Sequence, residues 1–229
     1  MKILILGATG AAGGSLLDLA QTSASITEVR TVSRRAIPVL SIRQTGYLHD
    51  NLLDYSPVGE VFTGVDACFF CVGRSTTQVK DEAKYRALAF DAPEVAASAL
   101  RARSPAAVFH YLSGQGANLS SRHSWARIKA EAEQSLIERY SAVCWRPGAI
   151  DARRTEGWPV FYPVVIGALR IFAPSRRFYV TGEDLAAAML RIASSKTRSR
   201  IFENPEIRQL ADQYRADEKL NSPPFIAAN

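Results

Sequence analysis

The chain has 229 residues, of which 47% are apolar and 22% charged, with a formal net charge of +6. That length and apolar share suit one sizeable α/β domain over residues 1–229, with a sheet covered on both faces. No stretch reaches the ~20 continuous apolar residues of a membrane span, because the longest, Trp158 to Ala173, is broken by Pro159, Pro163 and Arg170. Met1-Lys2 leads directly into Ile3-Leu4-Ile5-Leu6 without a basic region and cleavage site, which reads against a signal peptide and for a cytoplasmic protein.

Strand-like apolar runs alternate with longer amphipathic segments, the pattern of βα units around a parallel sheet. Lys2–Leu6 reads as the first strand, and a helix follows from about Ala11 to Gln21. Thr27–Ser33 is the second strand, ending at Arg34-Arg35, and a short third strand is placed near Gly46–His49. Val65–Val72 reads as a buried strand, Asp81–Arg103 as an alanine-rich helix, and Ala106–Leu112 as the fifth strand. His123–Tyr140 is helical and Ala142–Arg146 is the sixth strand. Beyond Pro147-Gly148 the pattern loosens, and residues 150–180 are expected to shape a substrate pocket or lid with Trp158, Phe161, Tyr162 and Phe172. Thr181 is a suitable N-cap for a helix through Ile192, with Glu183 and Asp184 in its first turn. Arg198–Glu203 reads as a last strand, followed by a polar helix from about Pro205.

Cysteines 68, 71 and 144 make no disulfide framework. Cys68 and Cys71 have a spacing that suits metal or redox chemistry, but they sit in the apolar run 67–72, where alternate side chains face opposite sides of a strand. They are read as core, and no metal is expected. The arginines fall in short scattered groups, such as Arg34-Arg35, Arg153-Arg154 and Arg176-Arg177, so neither nucleic acid nor a membrane is expected as a partner.

The strongest local signal is Gly7-Ala8-Thr9-Gly10-Ala11-Ala12-Gly13-Gly14, directly after the first strand and opening the first helix. Glycines at 7, 10 and 13 let the turn tighten and its backbone approach a pyrophosphate, which the helix N-terminus favours electrostatically. Thr9, Ala11 and Ala12 complete that turn. An acidic residue at the end of the second strand would accept bonds from a ribose 2′-hydroxyl. Ser33-Arg34-Arg35 stands there instead, and guanidinium groups suit a 2′-phosphate. The expected cofactor is therefore NADP(H) in preference to NAD(H). Asn51-Leu52 is expected to border the adenine. Cys71-Val72-Gly73 is placed where the cofactor crosses the sheet edge, with Arg74-Ser75-Thr76-Thr77 available as donors.

In order and spacing, these motifs resemble the atypical short-chain dehydrogenase/reductase superfamily, in particular its Tat-interacting-protein-like and NmrA-like members. The resemblance runs through GATGAAGG at 7–14, VSRR at 32–35, DACFFCVG at 66–73, YLSGQGAN at 111–118, WARIKAEAE at 125–133, WRPGAI at 145–150 and YVTGEDLAAAML at 179–190. It implies a Rossmann-type, doubly wound parallel sheet with helices on both faces and a small C-terminal substrate-side extension. It also implies that Ser113 orients the reacting oxygen and that Lys129 holds the nicotinamide ribose, while Pro147-Gly148 passes the nicotinamide amide.

The tyrosine that such enzymes carry four residues before the lysine is replaced here by Trp125. The Trp125 indole can stack on a substrate or on the nicotinamide and its N–H donates a hydrogen bond, but it has no usable acid–base chemistry. Tyr111, His123 and Lys129 acting through water are the available substitutes, although Tyr111 suits packing better and His123 suits a cap or surface position. Arg146 is open between bonding loop carbonyls and touching the ligand. The expected activity is hydride transfer from NADP(H) to a small apolar acceptor, a quinone or an aldehyde, without the usual tyrosine acid. The alternatives are a non-catalytic NADP(H)-sensing protein and, more weakly, a sugar-nucleotide epimerase. The partner is a small molecule, and both a monomer and a homodimer are compatible with the sequence.

Overall fold

The computed structural model describes residues 1–73, 81–152, 166–167 and 178–221. The residues 74–77 expected near the cofactor lie outside these, as do Trp158, Phe161, Tyr162, Phe172 and most of segment 150–180.

β1 (Lys2–Leu6), β2 (Glu28–Ser33), β3 (Gln44–Leu48), β4 (Ala67–Phe70), β5 (Val108–Leu112), β6 (Val143–Arg146) and β9 (Arg200–Glu203) form a seven-stranded sheet in the order β3-β2-β1-β4-β5-β6-β9. Every pairing in it is parallel. The strand order reverses direction beside β1, which opens a crevice at the carboxyl ends of the strands. β7 (Ala149–Asp151) and β8 (Tyr179–Thr181) form a separate parallel pair that the sequence pattern does not reveal.

Alternation along the strands builds two cores. Ile3 and Ile5 of β1 face α1 (Ala11–Thr22), α5 (Gly182–Ser195) and α6 (Asn204–Asn221), whereas Leu4 and Leu6 face the opposite layer. That layer contains the 3-10 segment Ser56–Phe62, α3 (Ala92–Arg103) and α4 (Ser124–Tyr140). Ile3, Leu4, Ile5 and Leu6 of β1 are almost completely buried, each contributing about 1.5–3 kcal/mol relative to exposure. Cys68 and Cys71 fall in opposite cores, as alternation requires, and all three thiols are buried and free. Thr181 caps α5 by accepting the Asp184 N–H at 3.0 Å.

The alanine-rich helix expected over 81–103 is not uniform. α2 (Glu82–Arg86) passes into a π-helical turn, Ala87–Asp91, before α3 begins. Pro93 lies four residues after Ala89 and has no N–H to offer its carbonyl. The Tyr111 hydroxyl donates to that carbonyl instead, at 2.6 Å.

An aromatic ladder crosses the sheet. Phe69 stacks on His110 at 4.5 Å between centroids, and Trp145 stacks on Phe202 at 4.9 Å. Trp145 Nε1–H donates to His110 Nδ1 at 3.2 Å. Burial pushes His110 down from its ordinary 6.5 to about 3. The unfolded chain therefore takes up a proton below about pH 6.5 that the folded chain refuses, so stability falls with falling pH between those values. The slope from this group reaches about 1.4 kcal/mol per pH unit. Chemical denaturation across this range should show that loss, and His110→Gln, which cannot titrate, should flatten it.

Candidate active site

At the crevice, two close approaches fix the first turn. Gly7 has φ +91°, and a Cβ there would stand 2.8 Å from the Val72 nitrogen. A Cβ on Gly13 would lie 2.3 Å from the Gly7 carbonyl oxygen. The start of α1 is therefore pressed onto the end of β1. Gly10 is the N-cap residue, with no side-chain cap and no acid in the first turn. The N–H groups of Ala11, Ala12 and Gly13 have no acceptor within the helix, which leaves positive potential for an anion. Ala12 and Gly13 support this turn from within the core.

A cleft of about 540 Å³ opens over the turn. Gly7, Thr9 and Gly10 form one part of its wall, and Val32, Ser33, Arg34 and Arg35 extend it from the end of β2. His49, Asp50 and Leu52 follow β3, Cys71, Val72 and Gly73 follow β4, and Leu88 reaches in from the π-helical turn. Arg34 and Arg35 are exposed, and the Ser33 hydroxyl donates to the Arg35 carbonyl at 2.5 Å. Asn51 does not line the cleft. Its side chain accepts the Leu53 N–H at 3.0 Å and shapes the turn that presents Leu52.

His49, Asp50, Leu88 and Val32 are cleft residues that sequence reasoning missed. His49 and Asp50 adjoin the Asn51-Leu52 pair at the end of β3, so the position itself was the available signal. His49 Nε2 lies 2.7 Å from the carbonyl oxygens of both Asn51 and Asp54, so that nitrogen carries the proton. Burial pushes the Cys71 thiol up to about 12, which makes it an unreactive part of the wall.

Ser113, Trp125, Lys129, Pro147 and Gly148 belong to the neighbouring β5–α4–β6 unit and are not in the lining of this cleft. The Ser113 hydroxyl is buried without a hydrogen-bond partner among the described residues, an unusual state for such a group. Lys129 Nζ donates to the carbonyls of Leu112 at 2.8 Å and Ser113 at 3.4 Å. It also stands 5.0 Å above the Tyr111 ring. Trp125 is half-buried against Tyr85, Ala89 and Ile128. His123 is the N-cap residue of α4, without a side-chain cap bond.

Arg146 bonds carboxylates, where loop carbonyls or ligand had been expected. Its guanidinium pairs with Glu133 at 2.5 Å and with Glu203 at 2.8 Å, because a half-buried cation needs charged partners in place of water. The Gly148 N–H donates to Asn204 Oδ1 at 2.9 Å, tying the Pro147-Gly148 turn to the start of α6.

Burial lowers Lys129 from its ordinary 10.5 to about 8, with the nearby Glu133 carboxylate opposing the shift. An NMR titration of its side-chain amine, assigned with Lys129→Met, should show a midpoint near 8. Glu133→Gln removes the opposing charge and should move that midpoint lower.

No family model matches the chain. It is 26% identical over 223 residues to the mitochondrial protein FMP52 of Eremothecium gossypii, covering 93% of this chain and 98% of that one. A short-chain dehydrogenase/reductase family oxidoreductase from Burkholderia thailandensis superposes with a TM-score of 0.66 at 15% identity, over 98% of each chain. UDP-glucuronic acid 4-epimerase from Bacillus cereus, in complex with NAD, gives a TM-score of 0.66 at 12% identity over 89% of this chain and 76% of its own. The fold of this chain is the Rossmann fold of the short-chain dehydrogenase/reductase proteins and their NAD-binding epimerase relatives.

Proposed function

We propose that this protein is an NADP(H)-dependent oxidoreductase that reduces a small apolar acceptor, a quinone or an aldehyde, without a tyrosine acid. The observation that carries the reading is the wall of the cleft: the glycine turn at one side, and Ser33, Arg34 and Arg35 where an NAD-preferring site has an acid. The NAD complex of the epimerase neighbour supports a nicotinamide dinucleotide in general. The preference for NADP(H) rests on the two arginines.

The residues present fit that cofactor. Gly7 and Gly13 bring the backbone close, and the first-turn N–H groups of α1 suit its pyrophosphate. Arg34 and Arg35 suit a 2′-phosphate through charge-assisted bonds. Leu52 and Val72 offer apolar walls for the adenosine half. When bound, the cofactor supplies a hydride to the acceptor, whose remaining hydrogen enters as a proton from water. Ser113 has a buried hydroxyl free to donate to the acceptor oxygen, and Lys129 fixes the β5 carbonyls around it.

Tyr111 is not the missing acid, because its hydroxyl is held by the Ala89 carbonyl. Trp125 packs at the opening of α4 and transfers no proton. An electron-poor quinone suits this arrangement better than an aldehyde, since its reduction asks less of a protein acid. A single domain and a small-molecule partner belong to the same reading. Among the described residues none of the exposed large hydrophobic residues lies on α2, α3 or α4, and the reading holds for a monomer and for a homodimer alike. The cytoplasmic compartment is also part of the proposal, with the mitochondrion as the alternative raised by the FMP52 relative.

Titration with NADPH and NADH, followed by nicotinamide fluorescence, tests the cofactor. NADPH should bind more tightly, and Arg34→Ala/Arg35→Ala should remove at least about 2 kcal/mol of that preference. Equal binding of the two overturns it.

The second reading, a sensor that binds the cofactor without catalysis, is favoured by Trp125 in the tyrosine position. Quinone reduction by the wild type, unchanged in Trp125→Tyr and fading as pH rises through about 8 with loss of the Lys129 ammonium, supports the enzyme. An inactive wild type that gains carbonyl reduction in Trp125→Tyr supports the sensor.

A further inference from the structure

The loop between β2 and β3 holds three of the seven large hydrophobic residues that are exposed among the described residues. Ile42 is 103% exposed, Val39 63% and Leu40 61%. Their exposure is built into the fold. Gln44, itself buried, accepts the Leu40 N–H at 3.3 Å and donates to the Pro38 carbonyl at 3.1 Å. Gln21 donates to the Gln44 side-chain oxygen at 2.6 Å, and the Ser41 hydroxyl bonds Gln21. Ile37 packs against the core beneath α1. These anchors hold the loop and leave the three aliphatic side chains standing in water, where folding alone gains nothing from them.

The loop's own charges are all positive: residues 34–43 contain three arginines, Arg34, Arg35 and Arg43, and no carboxylate. Arg43, next to Ile42, donates to the carbonyls of Ser23 at 3.1 Å and Ile26 at 3.0 Å, which orient the guanidinium without neutralising it. Among the described residues neither Arg43 nor Arg34 has an ion-pair partner.

These features select among occupants. A two-fold copy of this chain would set the arginines against their own images, a repulsive pairing. A protruding crest of single aliphatic residues offers no groove for a peptide. An anionic bilayer accommodates both, since aliphatic side chains enter the boundary between headgroups and acyl chains while cations meet lipid phosphates. We infer that the loop of residues 34–43 docks the protein onto an anionic membrane surface through Val39, Leu40 and Ile42, with Arg43 at the headgroups. This association needs no membrane span, and it departs from the sequence-based expectation that no membrane is a partner. The contact rests on Val39, Leu40, Ile42 and Arg43, none of which lines the cofactor cleft.

Flotation of the full chain with phosphatidylcholine vesicles, with and without phosphatidylserine, tests the inference. The protein should float with the anionic vesicles and not with phosphatidylcholine alone, and salt should weaken the association. Val39→Ser/Leu40→Ser/Ile42→Ser should lower vesicle partitioning by about tenfold or more, with an unchanged circular dichroism spectrum. Ile42→Glu, at a position with no packing to lose, should also weaken it. Absence of flotation with anionic vesicles overturns the inference, as does undiminished flotation of both variants. A wild-type dimer that the triple variant converts to monomer, without vesicle binding, assigns the crest to a second copy and overturns it as well.

Discussion

The contact between Gly13 and the Gly7 carbonyl is the constraint on which the rest of the crevice depends. With no Cβ at position 13, α1 settles directly onto the end of β1, and a methyl group would stand 2.3 Å from that oxygen. The approach aims the unsatisfied N–H groups of the first helical turn at the space above the sheet. Gly7 makes the same demand in the other direction, since a Cβ there would meet the backbone of Cys71 and Val72 at the end of β4. One tight turn thus sets α1, β1 and β4 relative to one another, and the cleft is the volume left above them.

A second organising element is one face of α4. Trp125, Lys129 and Glu133 are spaced four residues apart, so they lie in a row along the helix. Each meets a different neighbour. Trp125 packs against Tyr85 on α2, Lys129 reaches the β5 carbonyls, and Glu133 pairs with Arg146 on β6. Arg146 continues to Glu203 on β9. The row connects the helix to three parts of the fold, and it places the lysine between a buried carboxylate and an aromatic ring. Its ammonium is thereby both desolvated and supported.

Local chemistry made much of this legible. The glycine turn, the arginines after β2, the Thr181 cap and the buried cysteines were readable because each is governed by residues close in sequence. The cleft residues that escaped notice depend on distant geometry. Leu88 lies in the π-helical turn, which shifts the helical register by which its facing would be judged. That turn reflects the missing N–H of Pro93 and the Tyr111 hydroxyl that takes its place, and the latter comes from a strand about twenty residues away. Asn51 and Leu52 are adjacent in sequence, yet only Leu52 faces the cleft, because the asparagine side chain is used within its own turn.

The sequence by itself determined the alternation of strands and helices, the parallel sheet, the tight glycine turn that opens α1 and the absence of an acid after β2. These follow from apolar periodicity, backbone freedom at glycine and side-chain charge, which are properties of short segments. Only the tertiary structure decided that Arg146 belongs to Glu133 and Glu203, that Tyr111 is held by a helix carbonyl, and that the Ser113 hydroxyl has no partner among the described residues. It also decided which aliphatic residues of the β2–β3 loop remain in water. The physical reason is that desolvation and hydrogen-bond satisfaction belong to groups brought together across the fold, and no single segment carries that information.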